Sequence, residues 1–159
     1  QWRDRGVGLQ PAAREGVMAS EGRIAFIAQE VPSVFRDRAR LRAWLSAVAK
    51  DHGQRIGELN YVLMSDKELL KYNQRFLNHD TYTDVITFHG GGEGPGVNGD
   101  IVMSVDRIRD NARTYGASVQ HELRRVMVHG LLHLLGHTDK KLAERAAMRV
   151  LEDKYLARW

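Results

Sequence analysis

The sequence predicts one domain of the α/β or α+β class, and three observations carry that expectation. The chain has 159 residues, a length that fits one domain and suffices to bury a core. Short β-rich runs alternate with longer segments of helical period. No repeat or low-complexity stretch interrupts this alternation, apart from one glycine-dense segment. Residues 1–17 (QWRDRGVGLQPAAREGV) carry charge, Gly and Pro without periodicity. They are expected to be a poorly ordered extension, with the domain spanning 18–159.

The elements follow in order. The apolar run IAFIA (24–28) predicts a buried strand, and Pro32 and Ser33 break the chain after it. From Asp37, Leu41, Trp44, Leu45 and Val48 recur at helical spacing until Gly53 supplies a stop. ELNYVLM (58–64) predicts a strand with Leu59, Tyr61 and Leu63 on one face. Ser65 and Glu68 form a capping-box pattern for a short helix through Leu69, Leu70 and Tyr72. VITF (85–88) and DIVMSV (100–105) predict two strands of a hairpin with a long, mobile glycine-rich tip. Ser104 is placed to cap a helix through Arg107, Ile108 and Ala112 that ends near Gly116. Ser118 caps the next, which runs to Leu135 and stops at Gly136. A last helix over 141–156 has Ala143, Ala147, Val150 and Leu151 as its expected apolar stripe.

Composition narrows the chemistry. Cysteine is absent, which excludes a disulfide scaffold, a cysteine nucleophile and thiolate metal sites. Any metal must be held by His, Asp or Glu. The formal charge of +4 permits a polyanionic partner without demanding one. No stretch reaches the roughly 18 apolar residues of a membrane span, and the N-terminal segment lacks a signal-peptide core. A cytoplasmic protein is expected, and a monomer is assumed.

The informative segment is VMVHGLLHLLGHTDKK. His129 and His133 lie four apart on a helix, so both imidazoles leave one face and can offer nitrogens to one ion. His137 continues that spacing, but on a straight helix it would sit about 12 Å from His129, against about 6 Å for His133. Gly136 can end the helix in a left-handed turn and bring later residues back. The third ligand is then Asp139, three residues past the glycine, with His137 as the alternative. Two His and one carboxylate leave a position open for water, a catalytic style of site. One divalent ion is expected, zinc first, with manganese or nickel also compatible. The Glu that zinc peptidases place after their first His is replaced by Gly130, which argues against a peptidase. Phosphodiester hydrolysis can lean more on the metal itself. Arg107, Arg109, Arg113, Arg124, Arg125, Lys140 and Lys141, with Arg145 and Arg149, crowd the sequence around this segment and are candidates for RNA contact. Asp106, Asp110 and Glu144 are interleaved with them, as on an ordinary solvated face.

These residues resemble a known family. HGLLHLLGHTD is similar to the HGxLHLxGYDH signature of the YbeY family of bacterial endoribonucleases. TYTDVITF (81–88) and GDIVMS (99–104) resemble that family's YPTDVLSF and GDIVIS, and the resemblance runs from about residue 24 to the end of the chain. It implies an α+β fold, a small mixed β-sheet covered by helices with a zincin-like metal helix. It also implies a zinc-dependent, single-strand-specific endoribonuclease of 16S rRNA 3′-end maturation and ribosome quality control, with rRNA and the small ribosomal subunit as partners. The alternative readings are an RNA-binding assembly factor with a structural metal, or a metallopeptidase. Three positions depart from the pattern. Asp139 stands where the family mostly has His, as in a minority branch; His137 stands for Tyr and is a candidate catalytic or proton-transfer residue; Leu77 stands for an Arg implicated in activity.

Overall fold

In a computed structural model, residues 22–77, 83–90 and 96–159 are described. The expected extension 1–17 and the hairpin tip 91–95 lie outside the described residues. Four strands, β1 (Arg23–Ala28), β2 (Ile56–Met64), β3 (Val85–His89) and β4 (Val97–Ser104), form one sheet in the order β1-β2-β4-β3. β1 and β4 pair with β2 in parallel, and β3 pairs with β4 antiparallel, so the sheet is mixed and the expected hairpin is its edge. The parallel pairs need helical crossovers, which α1 (Arg38–Asp51) supplies between β1 and β2. The remaining helices are α2 (Asp66–Phe76), α3 (Val105–Tyr115), α4 (Val119–Leu134) and α5 (Leu142–Leu156). The fold is the expected α+β arrangement of a small mixed sheet covered by helices.

Alternation along the strands divides the core. Leu59, Tyr61, Leu63, Ile101 and Met103 face the larger cluster, with Leu45 of α1, Ile108 of α3 and Met127, Leu131 and Leu132 of α4. Val62, Met64 and Val102 face the other side and pack with Leu69 and Tyr72 of α2. The buried Tyr61 hydroxyl donates to the Met127 carbonyl at 2.9 Å, tying β2 to α4. Gly130 lets α4 lie close on the sheet: a Cβ there would stand 2.7 Å from Ile101 Cγ2.

Local chemistry fixes the helix starts. Ser65, Ser104 and Ser118 accept the backbone N–H of Glu68, Arg107 and His121 at 3.2, 3.1 and 3.0 Å. The capping box at α2 forms only in part, since Glu68 turns to Lys71 at 2.7 Å. The predicted stripe of α5 is a correction. Ala143, Ala147 and Val150 are exposed, Leu151 packs partly buried against the core as expected, and the buried face is Met148, Glu152 and Tyr155. Small alanines gain little by burial, whereas Met148 and Tyr155 remove large apolar areas from water and carry Glu152 inward with them.

Candidate metal centre and adjoining groove

The end of α4 builds the site. Gly136 takes φ 107°, its N–H donates to the His133 carbonyl, and the His137 N–H donates to the Leu132 carbonyl, both at 3.0 Å. This is the paired C-terminal closure of a helix that only a left-handed residue permits, and it reverses the chain. The far side of the turn is held by Glu144, whose Oε1 accepts the N–H groups of Lys140 at 3.1 Å and Lys141 at 3.0 Å. Asp139 lies between these two anchors and returns to the histidines.

Three donor atoms converge there. His129 Nε2 and His133 Nε2 are 3.2 Å apart, and Asp139 Oδ2 stands 3.3 Å from the first and 3.2 Å from the second. A tetrahedral ion with bonds of ~2.0–2.1 Å separates its ligands by roughly 3.3 Å, so the triangle has the size such an ion requires. Among the described residues these three form the one group of His and carboxylate donors within reach of a single ion. All three are half-buried, leaving one side of the cradle open.

The surroundings favour a cation. His129 Nδ1 meets Glu152 Oε2 at 2.6 Å, which places the ring proton on Nδ1 and turns the Nε2 lone pair toward the cradle. Glu152 is 5% exposed, and its Oε1 accepts from Arg125 at 2.9 Å. Burial alone would lower the His129 pKa, but the hydrogen bond and charge of Glu152, with Asp139 and Asp84, raise it above the ordinary value. Asp84 lines the groove beside His129, and burial raises its carboxyl pKa although the His129 charge opposes this.

The other predicted residues divide. His137 does not join the cradle: its Nε2 lies 2.9 Å from Nε2 of His52, which also bonds the Val48 carbonyl through Nδ1. Burial lowers the His137 pKa, with the charges of His52 and His133 adding to the effect. Several of the arginines proposed for RNA are already engaged. Arg125 pairs with Glu152 and with Asp153 at 2.7 Å, Arg107 with Asp66 and Asp110, and Arg113 with Asp110. Arg124 stacks its guanidinium 4.6 Å from the Trp159 ring centroid. Arg109 is half-buried, while Lys140 and Lys141 are exposed beside the turn. The cations that line the groove with His129 and Asp139 are Arg125, Arg145 and Arg149. Leu77 is 42% exposed at the end of α2. Asp100 is buried and accepts from Asn60 at 2.8 Å, a bond between neighbouring strands. Glu152 and His52 escaped sequence reasoning. The only signal for Glu152 was its place in the i, i+4, i+7 row with Met148 and Tyr155.

Gly130 settles the position after the first histidine in physical terms. Any side chain there would point into Ile101, not toward the cradle. The fold and the three donors define an α+β protein with a helix-borne candidate metal site whose base-bearing position is filled by the sheet.

Comparison with known proteins adds the lineage. The family described as Endoribonuclease YbeY matches residues 27–159. An Endoribonuclease YbeY of Cytophaga hutchinsonii is 44% identical over 137 residues, covering 86% of this chain and 96% of the relative. One of Bacteroides thetaiotaomicron is 45% identical over 114 residues, 72% of this chain and 82% of the relative. The solution structure of TM1509 from Thermotoga maritima superposes with a TM-score of 0.58 at 27% identity, over 84% of this chain and 87% of that one. The chain belongs to the YbeY family.

Proposed function

We propose that the protein is a metal-dependent endoribonuclease in which His129, His133 and Asp139 hold one divalent ion, zinc first. The observation that carries the reading is the near-equilateral triangle of donors, 3.2–3.3 Å on a side, with the first histidine fixed from behind by Glu152. The names of the relatives supply the reaction class. A bound ion would lower the pKa of a water and polarise a phosphoryl oxygen, the two demands of phosphodiester hydrolysis. The chain's own residues do the rest. Glu152 keeps the proton on His129 Nδ1, and Arg125 holds Glu152 in place from its other oxygen. Asp84 lines the groove beside His129 with its carboxyl pKa raised by burial, and Arg145 and Arg149 offer positive charge to the RNA backbone.

The reading places the working domain at 18–159 and its action on rRNA of the small ribosomal subunit, at the 3′ end of 16S rRNA, in the cytoplasm. Among the described residues no helix is long and apolar enough to cross a membrane. The test is cleavage of a single-stranded rRNA 3′-end substrate by the full chain with defined metal. Chelation should abolish cleavage, zinc should restore it, and His129→Ala should lower the rate at least about 100-fold. Cleavage that persists in His129→Ala overturns the metal mechanism. RNA binding without cleavage by the intact protein would instead favour the assembly-factor reading.

A further inference from the structure

The groove beside the cradle has a floor and a rim of different chemistry. On the floor Glu122 and Glu152 are each 5% exposed. Glu152 is occupied by Arg125 and His129, and burial pushes Glu122 toward its neutral form. On the rim stand Arg145 and Arg149 of α5 and Asn111 and Tyr115 of α3. Both arginines are exposed, and Arg145 Nη1 donates to the Lys140 carbonyl at 2.9 Å. Tyr115 is 63% exposed, and the Arg149 guanidinium lies 5.8 Å from its ring centroid. An exposed ring alone means little. Here the ring shares one concavity with His129 and Asp139 and is flanked by two exposed guanidinium groups.

A nucleotide presents three features at this spacing: a π face, an anionic phosphate and a polar base edge. We propose that Tyr115 and Arg149 form a nucleobase-stacking subsite beside the metal cradle, with Arg145 meeting the adjacent phosphate and Asn111 the base edge. The inference rests on the endoribonuclease reading and deepens it. Stacking on a tyrosine accepts any base, so the subsite is tolerant of sequence. It also requires a base released from its own helical stack, which gives the protein a local means of selecting single-stranded RNA.

The test is single-turnover cleavage of a labelled single-stranded RNA, with the full zinc-loaded chain in excess, reporting the half-saturating enzyme concentration and the maximal rate separately. Tyr115→Ala should raise the half-saturating concentration about tenfold. The maximal rate should stay within about threefold, with metal content and Tm unchanged. Tyr115→Trp should restore binding and Tyr115→Leu should not. Arg145→Ala should lower the slope of log affinity against log salt by about one, while Tyr115→Ala leaves that slope unchanged. Half-saturation within about twofold of wild type in Tyr115→Ala overturns the subsite while leaving the endoribonuclease reading intact. Equal rescue by Leu and Trp overturns it too, because a plain apolar contact of the kind a protein partner makes would then suffice. A wild-type chain that neither binds nor cleaves RNA removes the subsite together with the reading beneath it.

Discussion

Two histidine pairs sit at the end of α4, and locally they look alike. His129 and His133 have ring centroids 4.7 Å apart at 71°, with Nε2 atoms 3.2 Å apart. His52 and His137 have centroids 5.0 Å apart at 84°, with Nε2 atoms 2.9 Å apart. What differs is the company. The first pair has Asp139 as a third donor and Glu152 behind one ring; the second has a backbone carbonyl behind His52, and among the described residues no carboxylate joins it. With its Nδ1 proton on the Val48 carbonyl, His52 presents a lone pair that accepts the His137 Nε2–H, and the contact is complete as a hydrogen bond. The carboxylates, and not the spacing of the imidazoles, turn a histidine pair into a cradle for a cation. The second pair then acts as a tether between α1 and the turn that carries Asp139.

The largest effect that would sharpen this contrast is loss of metal. Asp139→Ala should retain less than about one tenth of the wild-type metal after dialysis, measured by mass spectrometry, whereas His137→Ala should retain nearly all of it. The opposite result would exchange the roles of the two pairs. Next in size is Glu152→Gln, which removes the charge behind His129. Metal affinity in a chelator competition should fall about 10- to 100-fold. An unchanged affinity would show that the carboxylate does not tune the histidine. His52→Ala should leave metal content alone and cost about 2 kcal/mol, the net worth of the two hydrogen bonds its ring makes. Thermal melting would register this as a few degrees of Tm.

The smallest expected effect concerns Glu122, a buried carboxylate on which the charges of Arg125 and Arg149 only partly offset the cost of burial. Burial raises its folded pKa above the ordinary glutamate value, so its ionisation disfavours the folded state. That cost is absent below the unfolded pKa and grows as pH rises through the folded one. Glu122→Gln escapes it, so the Tm of the variant minus that of wild type should increase from pH 4 toward pH 7. A difference that is flat with pH would show that the folded and unfolded pKa values coincide.

Much of the architecture was legible because it is written locally. Serines 65, 104 and 118 each precede a helix and each cap it, and Gly136 ends α4 with the left-handed turn its position implied. Asp139 was legible for the same reason, since one short turn connects it to His133. Contacts made only by tertiary packing left no such trace. His52 meets His137 across 85 positions of sequence, and nothing near either residue announces it. Glu152 was hidden by the habit of reading a helix face from its apolar residues: Ala143, Ala147 and Val150 looked like a stripe and face water. The arginines show the complementary blindness. Sequence locates a charge but not its partner, so Arg125 looked available for RNA although it is committed to Glu152 and Asp153.

The close seating of α4 on the sheet at Gly130 also bears on what this scaffold can become. A glycine codon that begins GG reaches a glutamate codon by one base change when its third base is A or G. On paper, then, the catalytic base of a metallopeptidase is a single mutation away. The 2.7 Å approach of a Cβ at Gly130 to Ile101 closes that route. Ile101 would have to shrink first, and that earlier change would open a void in the most tightly buried part of β4 while conferring nothing. Drift toward peptide chemistry is held back by the order in which the two changes must occur, a barrier of history set by one van der Waals contact.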